Sequence, residues 1–145
     1  MKLVLQRVKQ ASVTIDRKLY SSIGQGILIL ICIEKGDTDA DVEKYADKVS
    51  KLRIFSDEND KMNLSVKDVN GEILVVSQFT LAGDCKKGTR PSFDKSAPPQ
   101  IANELYEKFV DEIKTYGIKT QTGKFAAMMD VALVNDGPVT FMIET

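Results

Sequence analysis

The chain has 145 residues, of which 43% are hydrophobic and 28% are charged, as in an ordinary soluble globular protein. This length predicts one domain, residues 1–145, with a single core. The net charge of −1 excludes a protein-wide basic field that attracts nucleic acid, so any RNA contact must come from a local basic patch.

The first half of the chain predicts three strands and a helix. Residues 3–16 alternate between apolar and polar side chains, and two further strands follow around a turn at Gly24 and Gly26. Apolar side chains then recur at steps of three and four, which predicts a helix over residues 40–52. The polar residues 56–71 predict a loop or an irregular sheet edge.

The second half predicts a strand over residues 72–83, a long loop over residues 84–99 and a helix over residues 100–117. The last predicted strands are the runs IKTQTG, MDVALV and VTFMIE. Short turns favour antiparallel pairing. The order of elements therefore predicts an α+β fold, in which two main helices pack on a curved, mostly antiparallel β-sheet.

Two short features indicate a cytoplasmic protein without a membrane partner. The apolar run at the N-terminus is too short for the core of a signal peptide. The longest apolar run, residues 27–33, is too short to cross a bilayer as a helix. Cys32 and Cys85 form neither a disulfide framework nor a metal motif, which is typical of reduced thiols.

The sequence contains no histidine. It therefore lacks the commonest general base at neutral pH and every Ser-His or Cys-His pair. Two distant cysteines also make a poor metal site, so no metal and no cofactor are expected. Ser77 and Thr80 are potential nucleophiles that Lys or Asp could activate in principle, but nothing in the sequence places such a residue beside them.

The segment SQFTLAG, residues 77–83, ends an apolar strand with hydroxyl and amide groups. Alternation places Ser77 and Phe79 on one face, and Gln78 and Thr80 on the other. A site built here must use backbone N–H groups, which can stabilise an oxyanion, or the strand must bulge. The alternative is an ordinary strand end whose hydroxyl groups cap the turn.

Two other segments allow both a functional and a structural interpretation. The loop CKKGTRPSF carries Lys86, Lys87 and Arg90, which could contact phosphates, and Phe93, which could stack on a base. Alternatively, this loop is solvated and Phe93 belongs to the core. The segment FAAMM, residues 125–129, could line an adaptable pocket or fill the core.

Near the C-terminus, VALVNDGPVTFMIE contains two predicted strands that flank Gly137-Pro138. An ordinary two-residue hairpin would resume the strand directly after Asp-Gly. Proline instead removes an N–H group that a returning strand would use for pairing. This dipeptide is therefore an unusual choice for a simple connection.

Taken together, these motifs resemble those of the D-aminoacyl-tRNA deacylases. SQFTL, KKGTRPSF, LYEKF, GKFAAMM and LVNDGPVTF occur in the order, and at about the spacing, of that family, and QRV near the start fits as well. The resemblance covers essentially the whole chain, and the combination of SQFTL with NxGPVT is specific. Ala126 replaces the glycine of the usual FGA motif.

The resemblance implies a homodimeric enzyme that removes D-amino acids from tRNA, with no DNA partner. It implies that the Gly137-Pro138 bond is cis and enters the partner subunit's site, with Arg7 holding the motif. It also implies that the 2′-OH of the terminal adenosine assists hydrolysis. The catalytic residues carried over are Ser77, Gln78, Phe79 and Thr80. The residues carried over to the adenosine and acyl pocket are Ala102, Phe125 and Met129.

Geometry then suggests how D and L substrates are separated. Suppose that the Phe79 and Thr80 N–H groups hold the ester carbonyl, and that the Gly137 carbonyl holds the α-amino group. D and L substrates then differ only by exchange of the hydrogen and the side chain, so one rigid wall rejects every L side chain. Because glycine meets no wall, glycyl-tRNA is expected to be a second substrate.

Two other functions remain open at this point. The protein could bind aminoacyl-tRNA or a nucleotide without turnover. It could also hydrolyse small esters or N-acyl amino acids, with Thr80 as the nucleophile.

Overall fold

The computed structural model describes residues 1–144. Its strands are β1 (Lys2–Ile15), β2 (Lys18–Ile23), β3 (Gly26–Cys32), β4 (Phe55–Ser56), β5 (Met62–Leu64), β6 (Glu72–Ser77), β7 (Thr120–Thr122) and β8 (Asp130–Glu144). Helix α1 (Asp39–Lys51) lies between β3 and β4, and helix α2 (Pro99–Thr115) lies between β6 and β7. No helix in this part of the chain combines the length and the apolar character needed to cross a membrane.

The long strand β1 organises the main sheet. It pairs antiparallel with β2, β3 and β8, and the sheet continues in the order β3-β6-β7. Across the gap between β2 and β7, the Ser21 hydroxyl donates to the Thr122 carbonyl oxygen at 2.7 Å. The sheet is therefore mostly antiparallel and nearly barrel-like, which confirms the predicted α+β class.

Two strand pairs depart from the expected antiparallel pattern, since β3–β6 and β6–β7 are parallel. The physical reason is the connection between the strands. Parallel neighbours need a long crossover rather than a tight turn. The segments that contain α1 and α2 provide these two crossovers.

Both helices lie within two residues of their predicted ranges. The carboxylate of Asp41 accepts hydrogen bonds from the Thr38 N–H and hydroxyl groups, at 2.9 and 2.8 Å, at the start of α1. Proline occupies the first turn of α2, where no N–H partner is needed. The buried stripes of the two helices pack against the main core cluster. These stripes comprise Val42, Tyr45, Ala46, Val49, Leu105, Tyr106, Phe109, Val110 and Ile113.

The strand predicted over residues 72–83 ends earlier, at Ser77. The Gln78 N–H group donates to the Ile31 carbonyl oxygen at 2.8 Å, and residues Phe79–Ala82 then form a 3₁₀ helix. The predicted alternation of faces beyond Ser77 is therefore wrong. The polar segment 56–71 also contains more structure than a loop, because β4 and β5 pair as a small separate sheet.

The C-terminal segment is one strand with a bulge rather than two strands joined by a hairpin. Both halves of β8 run antiparallel to β1, with Val8 opposite Asn135 and Gln6 opposite Thr140. Residues 136–139 of β8 therefore face a single β1 residue, Arg7.

The Asn135 side chain closes this bulge. Its Oδ1 accepts from the Val139 N–H group at 2.9 Å, and its Nδ2 donates to the Thr140 hydroxyl at 3.0 Å. The Gly137-Pro138 bond within the bulge is cis. The absent proline N–H thus falls in a loop that leaves the sheet, where strand pairing is not required.

Candidate active site

A pocket of about 770 Å³ lies where the chain leaves β3 and β6. These strands are parallel neighbours, with Ile31 opposite Ser77, so the segments that follow them meet at one edge of the sheet. The start of α2 and residues 125–129 complete the walls. The volume is in the range of small-molecule sites.

Six of the residues carried over from the family motifs line this pocket. They are Ser77, Gln78, Phe79, Ala102, Phe125 and Met129. Thr80 does not line the pocket but lies in the adjoining 3₁₀ helix, where its hydroxyl accepts a hydrogen bond from Gln78 Nε2 at 2.5 Å. Within residues 1–144, this amide is the sole hydrogen-bond partner of the Thr80 hydroxyl. No general base therefore contacts it.

The 3₁₀ helix offers backbone donors at the pocket wall. The first N–H groups of such a helix, here those of Phe79 and Thr80, have no carbonyl partner within it. Phe79 is 55% exposed, and its ring packs edge-on against that of Phe93, with the ring centroids 5.2 Å apart. Phe93 therefore lies at the pocket rather than in the core.

Cys32 forms a hydrogen bond with the first residue of the 3₁₀ helix. Its Sγ donates to the Phe79 carbonyl oxygen at 3.5 Å. Burial, and to a smaller extent the charge of Glu34, raises the pKa of the Cys32 thiol. The thiol therefore stays protonated at neutral pH and acts as a hydrogen-bond donor.

The segment FAAMM forms the opposite wall, and all five of its residues line the pocket. Phe125 lies 5.9 Å, centroid to centroid, from the ring of Tyr106, whose hydroxyl donates to the Val75 carbonyl oxygen at 2.9 Å. Burial raises the pKa of Tyr106 well above its usual value. Ala126 has a φ of 58°, a left-handed conformation that favours glycine, the residue of the usual motif.

Gly137, Pro138 and Arg7 lie outside this pocket. Gly137 and Pro138 are exposed on the β8 bulge. Gly137 has a φ of 131°, and an added Cβ would lie 2.7 Å from a methyl group of Val139 and 3.0 Å from Arg7 Nη2. The bulge therefore requires glycine. Within one chain, the pocket and the Gly137-Pro138 motif, which were predicted to form one site, are therefore separate.

The predicted RNA-binding cations are exposed beside the pocket. Lys86, Lys87 and Arg90 lie in a loop closed by two backbone hydrogen bonds between Asp84 and Ser92, at 2.8 and 3.1 Å. This loop leads directly to Phe93 at the pocket wall. None of the three cations lines the pocket itself.

Sequence reasoning missed several residues of the pocket, notably Cys32, Lys35 and the pair Pro98-Pro99. Cys32 and Lys35 lie at and just after the end of β3, whose parallel pairing with β6 brings them to the pocket, and no local pattern in the sequence indicates that pairing. Residues that follow parallel neighbours meet at the same edge of a sheet. No group of three or more His, Cys, Asp or Glu side chains within residues 1–144 could hold a metal ion.

Comparisons with known proteins give a consistent result. The family model described as D-Tyr-tRNA(Tyr) deacylase matches residues 4–144. A protein from Thermodesulfovibrio yellowstonii named D-aminoacyl-tRNA deacylase is 57% identical over 142 residues, covering 98% of this chain and 97% of that protein. A protein of the same name from Geobacter sulfurreducens is 57% identical over 145 residues, covering 100% and 95%.

Solved structures agree in fold. The protein titled "c-Myc DNA Unwinding Element Binding Protein" has a TM-score of 0.94 at 40% identity, covering 100% of this chain and 99% of that one. A probable eukaryotic D-amino acid tRNA deacylase has a TM-score of 0.84 at 17% identity, covering 98% and 97%, which shows the fold alone.

Proposed function

The chain belongs to the D-Tyr-tRNA(Tyr) deacylase family, hydrolases of the aminoacyl-tRNA ester, and we propose that it cleaves D-aminoacyl-tRNA in the pocket between β3, β6 and α2. One observation carries the assignment to this pocket. Beside its wall, the chain turns from β6 into a 3₁₀ helix whose first N–H groups, those of Phe79 and Thr80, have no partner within the helix.

These N–H groups can donate hydrogen bonds to the carbonyl oxygen of the ester. When an ester is attacked, negative charge develops on the carbonyl oxygen, and two preorganised donors stabilise it. Orientation of the ester contributes further, so that hydrolysis needs no protein nucleophile. The attacking water is activated by the 2′-OH of the terminal adenosine, which the substrate itself supplies. The Thr80 hydroxyl, bound to the Gln78 amide, fits this scheme because no base contacts it.

The adenosine and acyl groups occupy the remaining walls. Ala102, Phe125 and Met129 provide apolar contacts, and the polarizable Met129 side chain can adapt to different acyl groups. Ser77 and Gln78 provide polar groups at the end of β6. A pocket of this kind recognises the nucleoside and leaves room for different amino acids.

The Gly137-Pro138 bulge of a second subunit distinguishes D-aminoacyl from L-aminoacyl esters. In one chain the bulge is exposed and lies outside the pocket, so it is free to enter the pocket of a partner. The Gly137 carbonyl then binds the α-amino group of the substrate, and the bulge forms a wall on the side of an L side chain. D-aminoacyl and glycyl esters avoid this wall. The active form is therefore a homodimer, the commonest closed assembly.

The rest of the tRNA extends away from the pocket mouth. Lys86, Lys87 and Arg90 lie in the exposed loop that leads to Phe93, where they can contact phosphates of the acceptor strand. Since the chain as a whole is slightly acidic, this local patch supplies the attraction for RNA. The enzyme works in the cytoplasm, where charged tRNA is used.

Deacylation of two esters tests this function. D-Tyr-tRNA and D-Tyr ethyl ester are incubated with the enzyme under the same conditions, and release of D-tyrosine is measured. We expect release from the tRNA alone. Release from neither substrate would indicate a binding protein, and release from both at similar kcat/KM would indicate a general esterase.

A further inference from the structure

The pocket contains one charged residue. Among the residues that line it, all are apolar or neutral except Lys35, in the turn that follows β3. Pockets for small molecules are mainly apolar, and a few polar groups fix the orientation of the ligand. A single cation in such a lining can form a charge-assisted hydrogen bond with an anionic group of the ligand.

The backbone of Lys35 is fixed against another part of the pocket. Its N–H group donates to the Lys95 carbonyl oxygen at 2.9 Å. On either side of it, Glu34 forms a β-bridge with Ser96, and the Ala97 N–H group donates to the Ile33 carbonyl oxygen at 3.0 Å. These bonds fix the backbone of Lys35 at the rim of the pocket.

The carboxylates nearest to Lys35 in sequence are engaged elsewhere. Glu34 pairs with the Met1 amino group at 3.4 Å and with Lys2 Nζ at 3.7 Å. Asp37 pairs with the Met1 amino group at 2.6 Å and also accepts from the Glu34 N–H group.

Lys35 also borders a smaller depression whose carboxylates belong to Glu34, Asp37, Asp94 and Glu144. The Asp94 carboxylate accepts from the Ser92 hydroxyl at 2.7 Å. Within residues 1–144, no salt bridge involves the Lys35 ammonium group. Lys35 is exposed, so its solvated ammonium group is available to an anionic group of a ligand at the pocket rim.

We propose that Lys35 binds the phosphate on the 5′ side of the terminal nucleotide and thereby orients the aminoacyl-nucleotide in the pocket. This inference rests on the proposed function. A 3′-aminoacyl nucleotide carries an anionic phosphodiester at one end and an α-ammonium group at the other. Lys35 attracts the first and repels the second, so one side chain favours the orientation that directs the ester away from it.

This role differs from that of the exposed loop. Lys86, Lys87 and Arg90 do not line the pocket, so they can contact only phosphates outside it. Lys35 instead binds the phosphate of the nucleotide that occupies the pocket. A minimal substrate that lacks the rest of the tRNA therefore isolates its contribution.

The test compares two minimal substrates, the 3′-D-tyrosyl esters of adenosine and of adenosine 5′-monophosphate. For the wild-type enzyme we expect kcat/KM to be about tenfold higher with the phosphate, mostly through KM, since charge-assisted hydrogen bonds are among the strong ones. Lys35→Met should cleave both esters equally, and Lys35→Arg should retain most of the preference. Lys95→Met is the matched control and should behave like the wild type.

Binding of the corresponding 3′-amides, which resist cleavage, is measured in parallel for the same variants. Loss of the phosphate preference in Lys35→Met supports the proposal, with unfolding midpoints confirming that the variants are folded. An equal affinity of the wild type for both amides, or an unchanged preference in Lys35→Met, would overturn it while leaving the deacylase function intact. Failure of the wild type to deacylate D-Tyr-tRNA would overturn the proposed function instead.

Discussion

Arg7 is bound to Asp136 across the gap that the β8 bulge opens beside β1. Its Nε donates to the Asp136 carbonyl oxygen at 3.0 Å and lies 3.5 Å from the Asp136 carboxylate. Its Nη1 donates to the Ile54 carbonyl oxygen at 2.7 Å. One guanidinium group therefore ties the segment that contains Gly137 to the body of the protein.

Arg7→Lys should weaken this connection, because an ammonium group cannot satisfy both carbonyls with the fixed geometry of a guanidinium. A buried acceptor left without its partner costs about 1–3 kcal/mol. We expect kcat/KM for D-Tyr-tRNA to fall at least about tenfold as the bulge loses its position. Arg53→Lys is the control, since Arg53 is exposed and donates to Asn63. Unchanged kcat/KM with lower stability would show that Arg7 has only a structural role.

Ala126→Gly should stabilise the protein. Ala126 has a φ of 58°, and this left-handed conformation costs an L residue roughly 1–2 kcal/mol, whereas glycine adopts it freely. The greater freedom of glycine in the unfolded chain offsets part of the gain. We expect the free energy of unfolding to rise by about 0.5–1 kcal/mol with deacylation preserved. Ala127→Gly, at a neighbouring residue without positive φ, should not stabilise.

Thr80→Ala should retain most of the activity, since the proposed oxyanion donor at this position is the backbone N–H group and not the hydroxyl. By contrast, D-Tyr-tRNA that ends in 2′-deoxyadenosine should be a poor substrate, because it lacks the hydroxyl that assists hydrolysis. Single-turnover rates measure both effects. Complete loss of turnover in Thr80→Ala, with substrate binding and fold intact, would identify Thr80 as the nucleophile.

Mixing two inactive variants tests whether each site is built from two chains. Gly137→Ala places a Cβ 2.7 Å from a Val139 methyl group and distorts the bulge. Thr80→Pro removes one proposed oxyanion donor. In a mixed dimer, one site combines the intact turn of one chain with the intact bulge of the other, so equal mixing should restore about a quarter of the wild-type activity. No recovery after confirmed subunit exchange would place the whole site in one chain.

The elements predicted well from the sequence are those that local patterns determine. The 3.6-residue period and the capping residues locate α1 and α2 to within two residues, because these signals depend only on neighbours along the chain. The apolar alternation likewise locates β1 and both halves of β8.

The features that were missed depend on distant contacts. The end of β6 at Ser77 cannot be read from SQFTL, because Gln78 then bonds to Ile31, and the Phe79 and Leu81 carbonyls accept from Cys32 and Lys2. The β8 bulge likewise depends on pairing with β1.

The candidate site shows the same division. The residue patterns raised segments 77–83 and 125–129 as possible sites, but only the motif resemblance selected Ser77, Phe79, Phe125 and Met129 as site residues. Lys35 was missed because its relevance depends on the parallel pairing of β3 with β6, which no local signal in the sequence indicates.

Deacylation of three aminoacyl-tRNAs, whose amino acids differ only in the substituents of the α-carbon, tests most directly whether the Gly137-Pro138 bulge rejects L side chains. The values of kcat/KM are measured for D-alanyl-, glycyl- and L-alanyl-tRNA under one condition, since methyl is the smallest side chain that can meet the wall. Rejection of the L side chain predicts cleavage of D-alanyl- and glycyl-tRNA, with L-alanyl-tRNA spared. Cleavage of D-alanyl-tRNA alone, with glycyl-tRNA as inert as L-alanyl-tRNA, would contradict the role assigned to Gly137-Pro138.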